Sequence, residues 1–137
     1  MGGIEANNVA KWDGVAWSAF GAGLGEVSAL AVMGSDLYVG ADFATAGGGM
    51  ANQHIAKWNG SSWSALGSGM NNSVNALAVS GTDLYAGGAF TTAGGVADTK
   101  YLAKWDGADG SALGSGMDNI FTALVIRGSD LYAGGIF

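Results

Sequence analysis

"SGTDLYAGGAF", residues 80–90, carries the pattern on which the fold turns. A glycine, a small polar residue and an aspartate make a tight hairpin turn, and the Leu-Tyr that follows opens an apolar strand. The stretch occurs twice more with small changes, as "GSDLYVGADF" at 34–43 and "GSDLYAGGIF" at 128–137. Leu37, Leu84 and Leu131 are therefore separated by 47 residues each time. A second marker keeps nearly the same step: "AKWDG" starts at Ala10, "AKWNG" at Ala56 and "AKWDG" again at Ala103, with spacings of 46 and 47. The one-residue difference lies between Trp17 and Val27, where "GLGEV" replaces the longer "GMNNSV" of the second copy. Three copies of one unit fill the chain, and a period of this length points to a repeat architecture.

Composition narrows the class. Of 137 residues, 26 are glycine, none is proline and 49% are hydrophobic. That mixture fits neither a disordered tail nor a collagen-like repeat, and it favours many short strands joined by tight turns. Eleven acidic against five basic residues give a formal charge of −6, which repels phosphate backbones, so no nucleic-acid partner is expected. The absence of cysteine rules out a disulfide framework and a thiolate zinc site, and it leaves the redox compartment open. No apolar run approaches the ~20 residues of a membrane-spanning helix. The opening "MGGIEANN" lacks the basic start and apolar core of a signal peptide. The chain is expected to be soluble, with no membrane partner and with its compartment unassigned.

Within the second copy, four strands are predicted at 55–58, 63–66, 74–79 and 84–90, with "NGSS" and "SGTD" as hairpin turns. In "VNALAV" strict alternation sets Val74, Ala76 and Ala78 on one face against Asn75, Leu77 and Val79 on the other. Neither face is wet enough for a sheet with one side in water. Such a sheet is packed on both sides by copies of itself, the bulky face of one filling the space above the alanine face of the next. Four-stranded sheets of this size stacked radially make a β-propeller.

The run "VNALAVSGTDLYAGGAF" together with "AKWNGSSWSALGSGM" resembles a kelch-like, galactose-oxidase-type propeller repeat, and the likeness extends over essentially the whole chain. The resemblance implies that "VNALAV" is the innermost strand of a blade, "LYAGGAF" the second, "IAKW" the third and "WSAL" the outermost. Two departures stand out. The double glycine is Gly87-Gly88 and Gly134-Gly135 but Gly40-Ala41 in the first copy, and the outer-strand Trp17 and Trp63 are matched by Gly110 in the third. The third outer strand is expected to be the weakest, because it lacks the ~150–250 Å² that an aromatic ring can bury.

The fold class expected is all-β: a propeller of four-stranded blades, with blades at 27–66 and 74–113 and half blades at 1–20 and 121–137. Across the termini the half blades would read "IF" followed by "MGGIEANNVAKW", about three residues short of the corresponding joint elsewhere. Three blades are too few for a propeller, whereas two chains supply six, within the usual four to eight. The expected assembly is a homodimer whose composite blades take inner strands from one subunit and outer strands from the other. A piece of a longer or engineered array, active only in assembly, is the competing reading.

Functional signals are sparse. Asp36, Asp83 and Asp130 could form a ring of metal ligands, but aspartate is a routine turn residue, and the turn reading is preferred. Lys11, Lys57 and Lys104 read as solvated strand positions, and Trp12, Trp58 and Trp105 as core between blades in preference to sugar-stacking platforms. Catalysis needs unlike groups that converge. The chain offers one histidine, His54, and no nucleophile elbow, zinc-protease, Walker or EF-hand spacing. A copper oxidase of the galactose-oxidase type would need a cysteine. The chain is therefore not expected to be an enzyme, and neither a cofactor nor a metal is expected. "NNS" at 71–73 matches a glycosylation sequon only at the level of chance.

Strands and short turns are nearly copied, while one set of connections varies: "GGIEANNV", "GGGMANQHI" and "GGVADTKYL", and likewise "GLGEVS", "GMNNSVN" and "GMDNIFT". In an up-and-down sheet both sets emerge on the same rim. A symmetric scaffold that diversifies one rim reads as a binding surface. The predicted contacts are Asn52, Gln53, His54, Asp98 and Lys100, whose side chains can satisfy polar groups of a glycan or protein ligand. A lectin-like propeller is the principal alternative within this class.

Overall fold

The computed structural model describes residues 10–19, 27–41, 45–46, 50–51, 54–66, 69–90, 101–106, 110–112 and 121–135. Among these residues the fold is all-β, and no helix is long and apolar enough to cross a membrane. The strands are β1 (Ala10–Trp12), β2 (Trp17–Ala19), β3 (Val27–Met33), β4 (Asp36–Ala41), β5 (Thr45–Ala46), β6 (Met50–Ala51) and β7 (Ile55–Trp58). They continue as β8 (Trp63–Ala65), β9 (Val74–Ser80), β10 (Asp83–Gly88), β11 (Leu102–Trp105), β12 (Gly110–Ala112), β13 (Phe121–Arg127) and β14 (Asp130–Gly135). They form two four-stranded antiparallel sheets, β3-β4-β7-β8 and β9-β10-β11-β12, and three two-stranded ones, β1-β2, β13-β14 and β5-β6. The strands of the second copy lie where the sequence predicts them, to within two residues at each end. The small hairpin β5-β6, inside the connection from β4 to β7, has no counterpart in the sequence reading.

Turn chemistry sets the registers. The inner hairpins close through Gly34-Ser35, Gly81-Thr82 and Gly128-Ser129, with Met33 opposite Asp36, Ser80 opposite Asp83 and Arg127 opposite Asp130. The glycine of each loop has φ near +60° (62°, 59° and 59°), and the second loop residue keeps a negative φ. A two-residue loop with only its first residue left-handed is a type II′ turn, whose twist suits paired strands. The outer hairpins use a side chain instead. Asn59 Oδ1 accepts hydrogen bonds from the Ser61 and Ser62 amides, each at 2.9 Å. Asp13 Oδ1 does the same for Val15 and Ala16, at 2.8 and 2.9 Å. These amide donors, Ala16 and then Val15, hold the Asp13 carboxyl below its ordinary pKa.

One expectation about facing is corrected. Alternation places Val74 with Ala76 and Ala78, but the structure packs Val74 beside Leu77 on the opposite face. The cause is a β-bulge. Gly88 pairs with Val74 and Gly87 with Ala76, so Asn75 is an extra residue on β9 and the alternation slips by one. The same bulge recurs at Ser28 between Val27 and Ala29, and at Thr122 between Phe121 and Ala123. In the two full sheets it reverses the first residue of the inner strand and brings Val27 and Val74 to the bulky face.

The sheets stack in sequence order. Ala29, Ala31 and Tyr38 of the first four-stranded sheet pack on Val74, Leu77, Leu84 and Ala86 of the second. On its other side, Ala76, Ala78, Tyr85 and Leu102 of the second sheet pack on Leu124, Ile126, Leu131 and Ala133 of β13-β14. Both interfaces therefore set the alanine and tyrosine face of one sheet against the leucine and valine face of the next. At ~25 cal/mol per Å² of apolar area removed from water, these two interfaces supply most of the driving force that the short strands lack by themselves.

Close approach at the first interface depends on Gly40. A Cβ there would lie 2.5 Å from Val74 Cγ1 and 3.0 Å from Val74 Cβ. Valine is stiff about χ1, so relief must come from sliding one sheet over the other. Gly40→Ala is expected to cost about 1–3 kcal/mol. Gly134 occupies the same place in β14, where a Cβ would meet only Ala123 Cβ, at 3.9 Å. Gly134→Ala should change the unfolding free energy of a single chain by less than ~0.5 kcal/mol. A cost below ~0.5 kcal/mol for Gly40→Ala in urea titrations would show that the contact with Val74 is not what excludes a side chain.

A variable rim and an open cleft

Antiparallel order divides the sheet ends into two rims. One carries the three inner hairpin turns and the outer turns at Asp13 and Asn59, which are alike from copy to copy. The other carries the connections β4 to β7 and β10 to β11 and the crossings between sheets, whose sequences differ. The cross-strand ion pairs lie toward the constant rim: Lys57 Nζ is 3.3 Å from Asp36 Oδ2 and Lys104 Nζ is 3.5 Å from Asp83 Oδ2. Two of the three turn aspartates thus belong to ion pairs within their own sheets, and their lysines are partly buried partners. Among the described residues no group of three or more His, Cys, Asp or Glu side chains could hold a metal ion.

On the variable rim, the backbone at the mouth of β11 is bound from both sides. The Tyr101 amide donates to the Phe90 carbonyl at 2.9 Å, and the Gly88 amide donates to the Tyr101 carbonyl at 3.1 Å. The Ala89 amide donates to the Ser73 carbonyl at 2.9 Å, which ties the start of the same connection to β9. Tyr101 is left-handed, with φ 64°, and His54 at the mouth of β7 has φ 70°. The two residues are 47 apart and hold the same place in their copies. A non-glycine residue held in this region costs on the order of 1–3 kcal/mol and persists only where its surroundings impose it. The effect here is to turn the chain sharply into the third strand, with a partly buried, ring-bearing side chain at the corner of each full sheet.

Of the five residues assigned to this rim from sequence, His54 is placed there, next to the fully buried Ile55. Asn52, Gln53, Asp98 and Lys100 lie outside the described residues. Sequence reasoning missed Tyr101. The signal was available, since Tyr101 is the repeat equivalent of His54, but tyrosine is an unusual occupant of a left-handed position and does not advertise one.

The tryptophans pair across the outer hairpins. Trp58 and Trp63 have ring centroids 5.1 Å apart at 55°, and Trp12 and Trp17 are 5.4 Å apart at 51°. Trp63 is buried with Val39 and Ala56, whereas Trp12 and Trp17 are exposed. The same pair is thus covered in a full sheet and open in the two-stranded β1-β2. Beside it lies a cleft of about 540 Å³, lined by Ala10, Lys11 and Ser18 on one wall and by Leu30, Val32 and Trp58 on the other.

No family model matches the chain, and neither a curated protein nor a solved structure matches it.

Proposed function

We propose that the chain is a kelch-like propeller repeat protein that acts as a binding or scaffold module and not as an enzyme, with two copies closing a ring of six sheets. The observation that carries the reading is the division of labour between the rims. Strands, bulges and hairpin turns repeat with little change, while the opposite rim differs in each copy and holds His54 and Tyr101 in the same strained conformation. A rigid frame that varies only its connections is how binding surfaces are built on repeat proteins. Amide, imidazole, carboxylate and ammonium groups at Asn52, Gln53, His54, Asp98 and Lys100 would supply the polar contacts, each presented twice by two-fold symmetry.

A glycan microarray tests the carbohydrate form of this reading. Saturable binding is expected, lost when all five residues are replaced by alanine and kept in Lys57→Ala and Asp83→Ala, which lie toward the constant rim. Binding that survives the five replacements but disappears with either of the other two would place the ligand elsewhere. An empty array would remove the lectin-like form and leave assembly as the activity.

A further inference from the structure

We infer that the cleft between β1-β2 and the first four-stranded sheet is the seat for strands β13 and β14 of a second copy of this chain, with β14 pairing along β1 in one defined register. The inference rests on the ring reading above and names the surface that closes it. Equivalent positions within the chain act as internal controls. Leu77 is 9% exposed where a neighbouring sheet covers it, while its equivalent Leu30 is 52% exposed and Val32 beside it 65%. On the opposite type of face, Tyr38 is 4% and Ala78 9% exposed, while their equivalents Tyr132 and Val125 are 54% and 62% exposed. One chain therefore displays an uncovered leucine and valine face and an uncovered alanine-type and tyrosine face. Those are the two halves of the interface that it forms twice internally.

The strand edges match as well as the faces. In both full sheets the Leu-Tyr strand pairs with the Lys-Trp strand in one register: Leu37 opposite Trp58 and Tyr38 opposite Lys57, then Leu84 opposite Trp105 and Tyr85 opposite Lys104. β14 holds a Leu-Tyr strand in a sheet that lacks the Lys-Trp strand, and β1 holds a Lys-Trp strand in a sheet that lacks Leu-Tyr. Copying the register sets Leu131 of a second copy opposite Trp12, Tyr132 opposite Lys11 and Ala133 opposite Ala10. It also pairs Lys11 with Asp130 of the second copy, reproducing Lys57 with Asp36 and Lys104 with Asp83. Lys11 already lines the cleft together with Leu30 and Val32, which is where the tyrosine-bearing face of the incoming strands would lie. A second copy is the fitting occupant, because each chain carries both complementary surfaces and two chains satisfy both.

The absence of cysteine makes a crosslinking test clean. Ala10→Cys with Ala133→Cys is expected to give, on mild oxidation, a disulfide-linked species of twice the 13.6 kDa chain mass. Ala10→Cys with Ser129→Cys, displaced by four residues or about 14 Å along the strand, should not crosslink. An equally efficient bond from the displaced pair in a protein that is dimeric in solution would overturn the register and leave the ring reading standing. A disulfide confined to single chains would overturn the second copy as occupant. A folded monomer that forms no crosslink would overturn both. Should the cysteine variants fail to fold, the exposed charges provide the second arm. Lys11→Asp or Asp130→Lys alone should weaken dimerisation by about tenfold, and the double exchange should restore it. Double variants no better than either single one would contradict the pairing.

Discussion

Trp63→Gly is expected to lower the free energy of unfolding by about 3–5 kcal/mol, the range for removing a large aromatic ring from a core. Trp63 is 5% exposed and packs with Val39, Ala56 and the tilted ring of Trp58. Glycine would forfeit that buried area, leave a void beside Val39 and loosen an outer strand of only three residues. β8 is the last strand of its sheet and pairs only with β7, so no second paired strand holds it in place once the ring is gone. Urea denaturation followed by tryptophan fluorescence reads the effect through the remaining four tryptophans. A loss below ~0.5 kcal/mol would mean that the ring contributes no core, and a sugar-stacking role for the tryptophans would then gain ground.

Phe90→Ala should cost a similar ~3–5 kcal/mol, although Phe90 lies beyond the last residue of β10. It is among the largest fully buried side chains and belongs to the cluster joining the two four-stranded sheets. Its carbonyl also accepts the Tyr101 amide, so the ring and the backbone bond together anchor both ends of the β10 to β11 connection. The truncation keeps the backbone bond and removes the ring, which isolates the packing contribution. A cost under ~1 kcal/mol would show that the bond alone holds the connection, with the aromatic side chain incidental.

Much of this organisation could be read in the sequence, for a physical reason. Glycine and Asx residues at fixed offsets specify turns locally, so Gly81, Asn59 and their equivalents mark hairpins whatever surrounds them. Apolar content on both faces of 74–79 likewise announced a sheet packed on two sides, and the alanine face does meet the bulky face of a neighbour at both internal interfaces. The phase of Val74 was not legible, because a bulge depends on the partner strand, and a small polar residue such as Ser28, Asn75 or Thr122 within a strand does not by itself mark one. The β5-β6 hairpin was hidden in a glycine-rich connection with no alternation. At the candidate rim, variability between copies pointed to His54, but the left-handed conformation it shares with Tyr101 is not marked by a glycine at either position.

Leu30, Val125 and Tyr132 are bare where their equivalents Leu77, Ala78 and Tyr38 are covered, and association of two copies would cover them. The most direct measurement is the mass in solution, by light scattering or sedimentation equilibrium at micromolar concentration. A single species of twice 13.6 kDa is expected, and a chain lacking residues 121–137 should no longer form it. A folded, stable species at 13.6 kDa over the same concentration range would contradict the association of two copies.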